Sequence, residues 1–162
     1  MDEELGVYVN FPDKCHYAVR FEIKAPTRDV QEALLNTLHR LNGCKVIGDL
    51  VIFIGSNVNV ILEFGVANGL IFDYLNEDTF KILLKAVGKR DLRILDFFCV
   101  VRYYVLRGKS RRALRFDYYL LRFLFHDGGI EAQVFHERGM QRISAEDLLS
   151  LIMDNVFKHL GH

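Results

Sequence analysis

The chain has 162 residues, of which 51% are hydrophobic and 26% are charged, and its formal net charge is zero. This length and composition suit one globular domain with a substantial core, and they exclude a disordered or low-complexity chain. The acidic start, Met1-Asp2-Glu3-Glu4, precedes no apolar run, and no stretch of about 18 uncharged apolar residues occurs, so we expect neither a secretory signal nor a membrane span.

The cysteines give a first indication of the compartment. Cys15, Cys44 and Cys99 are widely spaced and form no CxxC pair. This pattern predicts no disulfide framework and fits a reducing environment, so we expect a cytoplasmic protein. Residues 1–162 are predicted to be a single domain, in which residues 1–14 form a flexible N-terminal segment.

The first predicted elements are a strand, a helix and a hairpin. Residues 17–24 alternate between apolar and polar side chains, which predicts a half-buried strand. A helix follows, with Thr27 as its cap and Gly43 placed to end it. Residues 46–54 and 58–64 are β-branched runs separated by Gly-Ser-Asn, which predicts a hairpin.

The middle of the chain is predicted to be mainly helical. Residues 65–75 stay unassigned, because two glycines weaken a helix prediction. Residues 78–87 carry apolar side chains at helical spacing. Asp91 is placed to cap a further helix. The apolar stripe of that helix is Leu92, Leu95, Phe98, Val101 and Val105.

The last third of the chain is predicted to form a hairpin and a helix. Residues 108–112 make a basic loop, and strands over 114–125 and 130–137 are joined by His-Asp-Gly-Gly, a strong hairpin signal. Ser144 is a good cap for a final helix that reaches Leu160. The element order predicts an α+β fold, with a largely antiparallel sheet of about four to five strands and helices packed on it.

Charge is unevenly distributed along the neutral chain. Residues 85–122 contain eleven Lys and Arg against Asp91, Asp96 and Asp117, which gives 11 − 3 = +8, so the rest of the chain sums to −8. Such an asymmetry favours a basic face that attracts a polyanion. The alternative is an ordinary solvated helix and loop.

The predicted 112–138 hairpin has two unequal faces. Tyr119, Leu121 and Phe123 share a face that is almost wholly apolar and is expected to be core. The opposite face is aromatic as well, and it is interrupted by Arg122. Exposed rings flanked by cations suit single-stranded nucleic acid, because unpaired bases stack on the rings and the cations follow the phosphates. The alternative is that helices cover both faces and these aromatics are core.

Residues 111–123 (RRALRFDYYLLRF), 135–139 (FHERG) and 142–148 (RISAEDL) resemble ThermoDBP-type single-stranded DNA-binding proteins of thermophilic archaea. The resemblance implies a cleft whose aromatic floor takes the bases and whose rim is basic. Carried over, Phe116, Tyr118 and Arg122 fall on the floor, whereas Arg111, Arg112 and Arg115 fall at the rim. The long C-terminal leucine zipper of the founding type has no counterpart here, because the final predicted helix is short.

These observations predict a binding protein for single-stranded DNA, and also for RNA, with no catalytic activity, metal or small-molecule cofactor. The predicted contact residues are Lys109, Arg111, Arg112, Arg115, Phe116, Tyr118, Arg122 and Phe135. A homodimer is expected as well, because the final helix carries Met153 and Phe157 beside its main apolar stripe.

Two alternatives remain open at this stage. The first is a protein-interaction or assembly module that binds no nucleic acid. The second is a metal-dependent nuclease that uses Asp117 and Glu131, although Gln133 stands where a lysine is usual and the predicted register places the two carboxylates on opposite faces.

Overall fold

The computed structural model describes residues 4–46 and 58–161, which form three helices and an eight-stranded antiparallel sheet. The strands are β1 (Tyr17–Glu22), β2 (Lys45–Val46), β3 (Val58–Asn68), β4 (Ile71–Tyr74), β5 (Ile94–Arg107), β6 (Ser110–Ala113), β7 (Asp117–His126) and β8 (Gly129–Arg138). The helices are α1 (Thr27–Leu41), α2 (Glu77–Lys89) and α3 (Ala145–His159). None of these helices is long and apolar enough to cross a membrane.

The strands follow the order β1-β8-β7-β5-β3-β2, while β4 also pairs with β3 and β6 also pairs with β5. Strands β6 and β7 lie end to end along β5. Tyr104 pairs with Ala113 and Val101 pairs with Asp117, so β5 advances three residues where the other strand advances four. The extra residue lies in the break at 114–116 and bends the strand, as a β-bulge does.

All three helices contribute to one core against one face of the sheet. Helix α1 contacts both α2 and α3, and buried residues of all three join a single cluster with the strands. The inward side chains of β5 and β7 alternate with the outward ones and are fully buried, as Phe97, Tyr119 and Phe123 illustrate. The Tyr119 hydroxyl donates to the carbonyl of Ile143, which fastens the start of α3 to the sheet.

Polar side chains fix the starts of two helices. Asn76 Oδ1 accepts from the backbone N–H of Thr79 at 2.9 Å, and Ser144 Oγ accepts from the N–H of Asp147 at 3.0 Å, as predicted for Ser144. The predicted cap by Thr27 is wrong, since Thr27 lies inside α1. The carbonyl of Pro26 accepts the first backbone hydrogen bonds there instead.

The antiparallel α+β class is confirmed, but the middle of the chain differs from the prediction. The helix expected from Asp91 onward is strand β5, and the unassigned residues 65–75 complete β3 and supply β4. The described residues therefore form a sheet of eight strands rather than four to five. Most of the predicted strand over 46–54, together with its turn, lies outside the described residues.

The flexibility of residues 1–14 stays a prediction, but the residues that the structure describes there make specific contacts with the sheet. Residues 4–16, called the N-terminal segment below, cross the face of the sheet opposite the three described helices. Leu5 and Phe11 are buried, and the backbone N–H of Gly6 donates to the carbonyl of Ala67 at 2.7 Å. This segment therefore covers part of that face.

Candidate functional site

The sheet face opposite the helices, called the open face below, divides into a covered half and an accessible half. Residues paired between β5 and β7 share this face, so Asp96 lies opposite Arg122, and Val100 lies opposite Tyr118. The N-terminal segment covers the half with Asp96. The half with Tyr118 stays accessible.

Arg122 lies in the covered half and is fully engaged there. Its Nε and Nη2 atoms each donate to the Asp96 carboxylate at 2.8 Å, and the backbone N–H of Tyr8 donates to the same carboxylate at 2.8 Å. The Phe11 ring lies 4.3 Å from the guanidinium carbon of Arg122. The fully buried Asp96 is thus neutralised by Arg122, whose side chain stays 21% exposed.

The N-terminal segment also covers the ring of Phe135. The His16 ring stacks on the Phe135 ring with 4.6 Å between centroids and 18° between planes. His16 Nδ1 accepts from the backbone N–H of His136 at 2.8 Å, which fixes the orientation of the imidazole. Of the predicted contact residues, Arg122 is therefore paired with Asp96, and Phe135, which lies on the cross-strand line of Leu120 and Phe98, is covered on one side by His16.

Four half-exposed rings form a continuous series across the accessible half, called the aromatic row below. Its members, in spatial order, are Phe72, Phe98, Tyr118 and Phe116. Successive ring centroids lie 5.5, 5.4 and 6.4 Å apart, and every pair is tilted. The row crosses from β4 over β5 to β7 and the break before it. Tyr8 ends the row at its other side, 4.8 Å from Phe72.

Two arginines lie on rings of this half. The guanidinium carbon of Arg102 lies 4.5 Å from the Phe116 centroid, and that of Arg111 lies 4.3 Å from the Tyr104 centroid. Arg102 Nε also donates to Glu63 Oε1, and this hydrogen bond raises the pKa of Arg102. Both cations therefore lie flat on aromatic faces at the edge of the row.

The predicted basic loop is a hairpin made by β5 and β6. Its cations are all exposed. By register, Arg111 lies opposite Leu106 on the open face, whereas Arg112 lies opposite Val105 on the other face of the strand pair. In the part of the chain that the structure describes, they form no ion pair with a carboxylate. These side chains are Arg107, Lys109, Arg111 and Arg112, and Arg115 joins them from the break before β7.

A groove of about 450 Å³ continues the row beyond Phe116. Its walls include Arg115, Arg138 and Met140, and Tyr118 forms its floor together with Phe116. Gly139 is held at a φ of +115° beside the Asp117 carboxylate, where a Cβ would collide with that carboxylate and with the carbonyl of Phe116. The turn after β8 is thus packed tightly against the sheet.

The structure does not bring the two carboxylates of the nuclease alternative together. Asp117 is fully buried on the helix side, while Glu131 lies on the open face opposite Leu124. Burial acts to raise the pKa of Asp117, but hydrogen bonds from Tyr103, His136 and two backbone N–H groups outweigh it and hold the pKa below its ordinary value. The described residues also contain no group of three or more His, Cys, Asp or Glu side chains arranged to hold a metal ion.

The apolar residues that motivated a dimer are packed within the chain. Met153 is buried, and the Phe157 ring meets the Phe21 ring edge-on at 5.4 Å. The wide apolar arc of α3 is therefore accommodated by its own sheet and by α1.

Sequence reasoning missed half of the aromatic row. Phe98 and Arg102 were placed on a helix, and Phe72 and Glu63 were not considered as site residues. The row becomes visible once residues 94–107 are assigned to a strand, because Phe98, Val100 and Arg102 then share one face with Tyr118. Comparisons of the chain with models of protein families, with curated proteins and with solved structures find no match.

Proposed function

We propose that this protein binds single-stranded nucleic acid, DNA or RNA, across the accessible half of the open face. The observation that carries the proposal is the aromatic row, in which four partly exposed rings lie side by side on a sheet face that none of the three described helices covers. Four rings of this kind are costly to leave partly in water unless a ligand or partner covers them.

Stacking is the first source of affinity. Each unpaired base that stacks on an aromatic side chain contributes about 1–3 kcal/mol, with little dependence on the base. A duplex keeps its base faces stacked on one another, so it has none to offer the row. The row therefore favours single strands.

Charge is the second source of affinity. The hairpin of β5 and β6 presents cations at the end of the row, and the phosphates of a strand lying on the rings pass beside them. Each phosphate contact releases bound counterions, which makes the affinity fall with salt. The neutral total charge does not oppose this, because the excess of cations is local.

The test is a fluorescence-polarisation titration with labelled single-stranded DNA, single-stranded RNA and duplex DNA at two salt concentrations. We expect salt-dependent binding to both single strands and markedly weaker binding to the duplex. Equal binding of all three at each salt concentration would make this a nonspecific polyanion binder. If none of them bound, the proposed function would be wrong and the protein-interaction or assembly module would be the remaining candidate.

The first prediction separates stacking from charge. Tyr118→Ala should lower the affinity for single strands about tenfold, within the range for one lost stacking contact, and leave the salt dependence unchanged. Phe21→Ala is the matched control, because Phe21 is also half-buried but contacts Phe157 on the helix side. Circular dichroism must show both variants folded. Wild-type affinity in a folded Tyr118→Ala variant would contradict the stacking model.

One observation favours the assembly module as a second candidate. The hairpin of β3 and β4 exposes Leu70, Ile71 and Tyr74 beside Phe72. A cluster of exposed apolar side chains of this kind suits a protein partner as well. Analytical ultracentrifugation of the purified chain alone tests whether a second copy is that partner.

A further inference from the structure

A second, smaller groove opens at the other end of the aromatic row. It has a volume of about 220 Å³ and is lined by the rings of Phe72, Phe98 and Tyr74. Gly65 lines it from β3, opposite Tyr74, and a Cβ at this position would lie 3.3 Å from the Phe72 Cβ and from the carbonyl oxygen of Asp73. The groove is therefore apolar on its sides and open at the top.

The end of this groove is polar. Glu63 and Arg102 lie diagonally across β3 and β5 and form an ion pair there, with about a quarter of the Glu63 side chain and a third of the Arg102 side chain exposed. The pair is made between Arg102 Nε and Glu63 Oε1. Within residues 4–46 and 58–161, Glu63 Oε2 and both terminal nitrogens of Arg102 have no hydrogen-bond partner.

This arrangement places a free acceptor next to free donors at the edge of a ring-lined groove. A carboxylate repels phosphate, so Glu63 does not serve the backbone of a nucleic acid. It suits the edge of a base that carries an exocyclic amino group, since a carboxylate accepts from the N4 amino group of cytosine. The neighbouring guanidinium nitrogens then donate to the ring nitrogen or carbonyl beside that amino group.

The same pair discriminates against uracil and thymine. Their base edge presents two carbonyl oxygens on either side of one N–H, so a carbonyl would face a carboxylate oxygen. Resting on the proposed function, we infer that the groove at Glu63 selects amino-bearing bases, cytosine above all, over uracil and thymine within a bound single strand. Glu63 is then a specificity-determining residue, and Arg102 orients its carboxylate.

Short deoxycytidine and deoxyuridine oligomers of equal length give the cleanest probe, because the two pyrimidines are equal in size and differ at position 4 and in the protonation of N3. Competition titrations at slightly alkaline pH keep oligo-deoxycytidine unstructured. We expect the cytidine oligomer to bind at least about fivefold more tightly than the uridine oligomer, which is the lower end of what one well-formed base contact contributes.

Glu63→Gln should bring the ratio of the two affinities close to one, because the amide presents a donor as well as an acceptor. It should also strengthen binding of both oligomers, since Arg102 loses its anionic partner. Glu131→Gln is the matched control, because Glu131 forms the same kind of cross-strand pair with Arg20 on the open face, at the far edge of the sheet. Its cytidine-to-uridine ratio should equal that of the wild type.

The outcomes separate this inference from the proposed function. Equal affinity of the wild type for both oligomers overturns the base selection and leaves single-strand binding intact. A ratio that survives in Glu63→Gln overturns the role of Glu63. Failure of both oligomers to bind at all overturns the proposed function and this inference together.

Discussion

At the scale of single residues, the Asp96 carboxylate is the most constrained charge on the open face. It is fully buried and receives three hydrogen bonds, two from Arg122 and one from the backbone of Tyr8. A buried carboxylate without its cation is strongly destabilising, because no water compensates the charge. Arg122 therefore stabilises the fold, although its place in the sequence, between aromatic residues, suggested a ligand contact.

The second prediction follows from this pair. Arg122→Leu should lower the free energy of unfolding by about 3 kcal/mol or more, as measured by urea denaturation. The double variant Asp96→Asn/Arg122→Leu should recover part of the loss, because it removes the uncompensated charge. If Arg122→Leu kept wild-type stability and weakened the salt dependence of nucleic-acid binding, Arg122 would be a phosphate contact after all.

Asp117 holds the turn before α3 to the sheet. It accepts hydrogen bonds from Tyr103 Oη at 2.5 Å, His136 Nε2 at 2.9 Å, and the backbone N–H groups of Gln141 and Arg142 at 2.6 and 2.9 Å. These bonds favour the ionised carboxylate and keep its pKa low in the folded state despite its burial. The same turn forms one wall of the large groove.

The third prediction concerns this carboxylate and pH. Asp117→Asn should cost about 2 kcal/mol or more at neutral pH, since at least one donor then loses its acceptor. Because the folded pKa is depressed, the stability contributed by ionised Asp117 is present above the unfolded pKa of about 3.9 and is lost as the pH falls through the folded value. Urea denaturation should therefore show that the difference in free energy of unfolding between wild type and variant becomes smaller below about pH 4. A gap that stays constant on acidification would show that charge is not the source of the stabilisation.

At the scale of elements, β5 shows why a central strand can be mistaken for a helix in the sequence. Eight of its 14 residues are β-branched or aromatic, which favours a strand, but it lies in the middle of the sheet. Its helix side is core, and its open face carries Phe98 and Val100, so apolar residues occur at nearly every position and the period of two is hidden. Apolar residues that are three and four positions apart then match the pattern of an amphipathic helix by chance.

The elements with one polar face were predictable. Strand β1 and the register of β7 with β8 from Tyr119 to His126 match the sequence prediction, because alternation and the Asp-Gly turn specify them. At Tyr118 the register shifts, so that Tyr118 rather than Asp117 lies opposite Arg138. The N-terminal segment was not predictable, since its attachment depends on single contacts to Asp96 and Arg122 from residues about 90 or more positions away. Those contacts decide which part of the predicted floor is accessible.

The fourth prediction tests the hairpin of β5 and β6 as the phosphate-binding element. Replacing Lys109, Arg111 and Arg112 together with Gln should weaken binding of all single strands and reduce the salt slope by about 0.7 for each lost phosphate contact. The control replaces Lys81, Lys85 and Lys89 of α2, which removes equal charge from the helix side. An equal reduction in both triple variants would point to the total charge rather than to the hairpin.

At the scale of the whole molecule, binding and self-association should use different surfaces. The complete aromatic row belongs to one chain, and α3 packs its apolar arc internally through Met153 and Phe157. The largest apolar exposure near the row is at the hairpin of β3 and β4, where Leu70 is 69% and Ile71 is 59% exposed. Among the described residues, this hairpin therefore suits a dimer contact better than α3 does.

The fifth prediction is that the chain sediments as a monomer and binds one short oligonucleotide per chain. Sedimentation equilibrium over a wide concentration range, with and without an oligonucleotide long enough to span the row, measures both quantities. Ile71→Lys should leave them unchanged, because Ile71 is exposed and lies outside the row. A dimer that Ile71→Lys dissociates would identify the hairpin as an interface. Because Phe72 follows directly in β4, two rows would then lie close together, and a longer strand would bind across both chains with higher affinity than a short one.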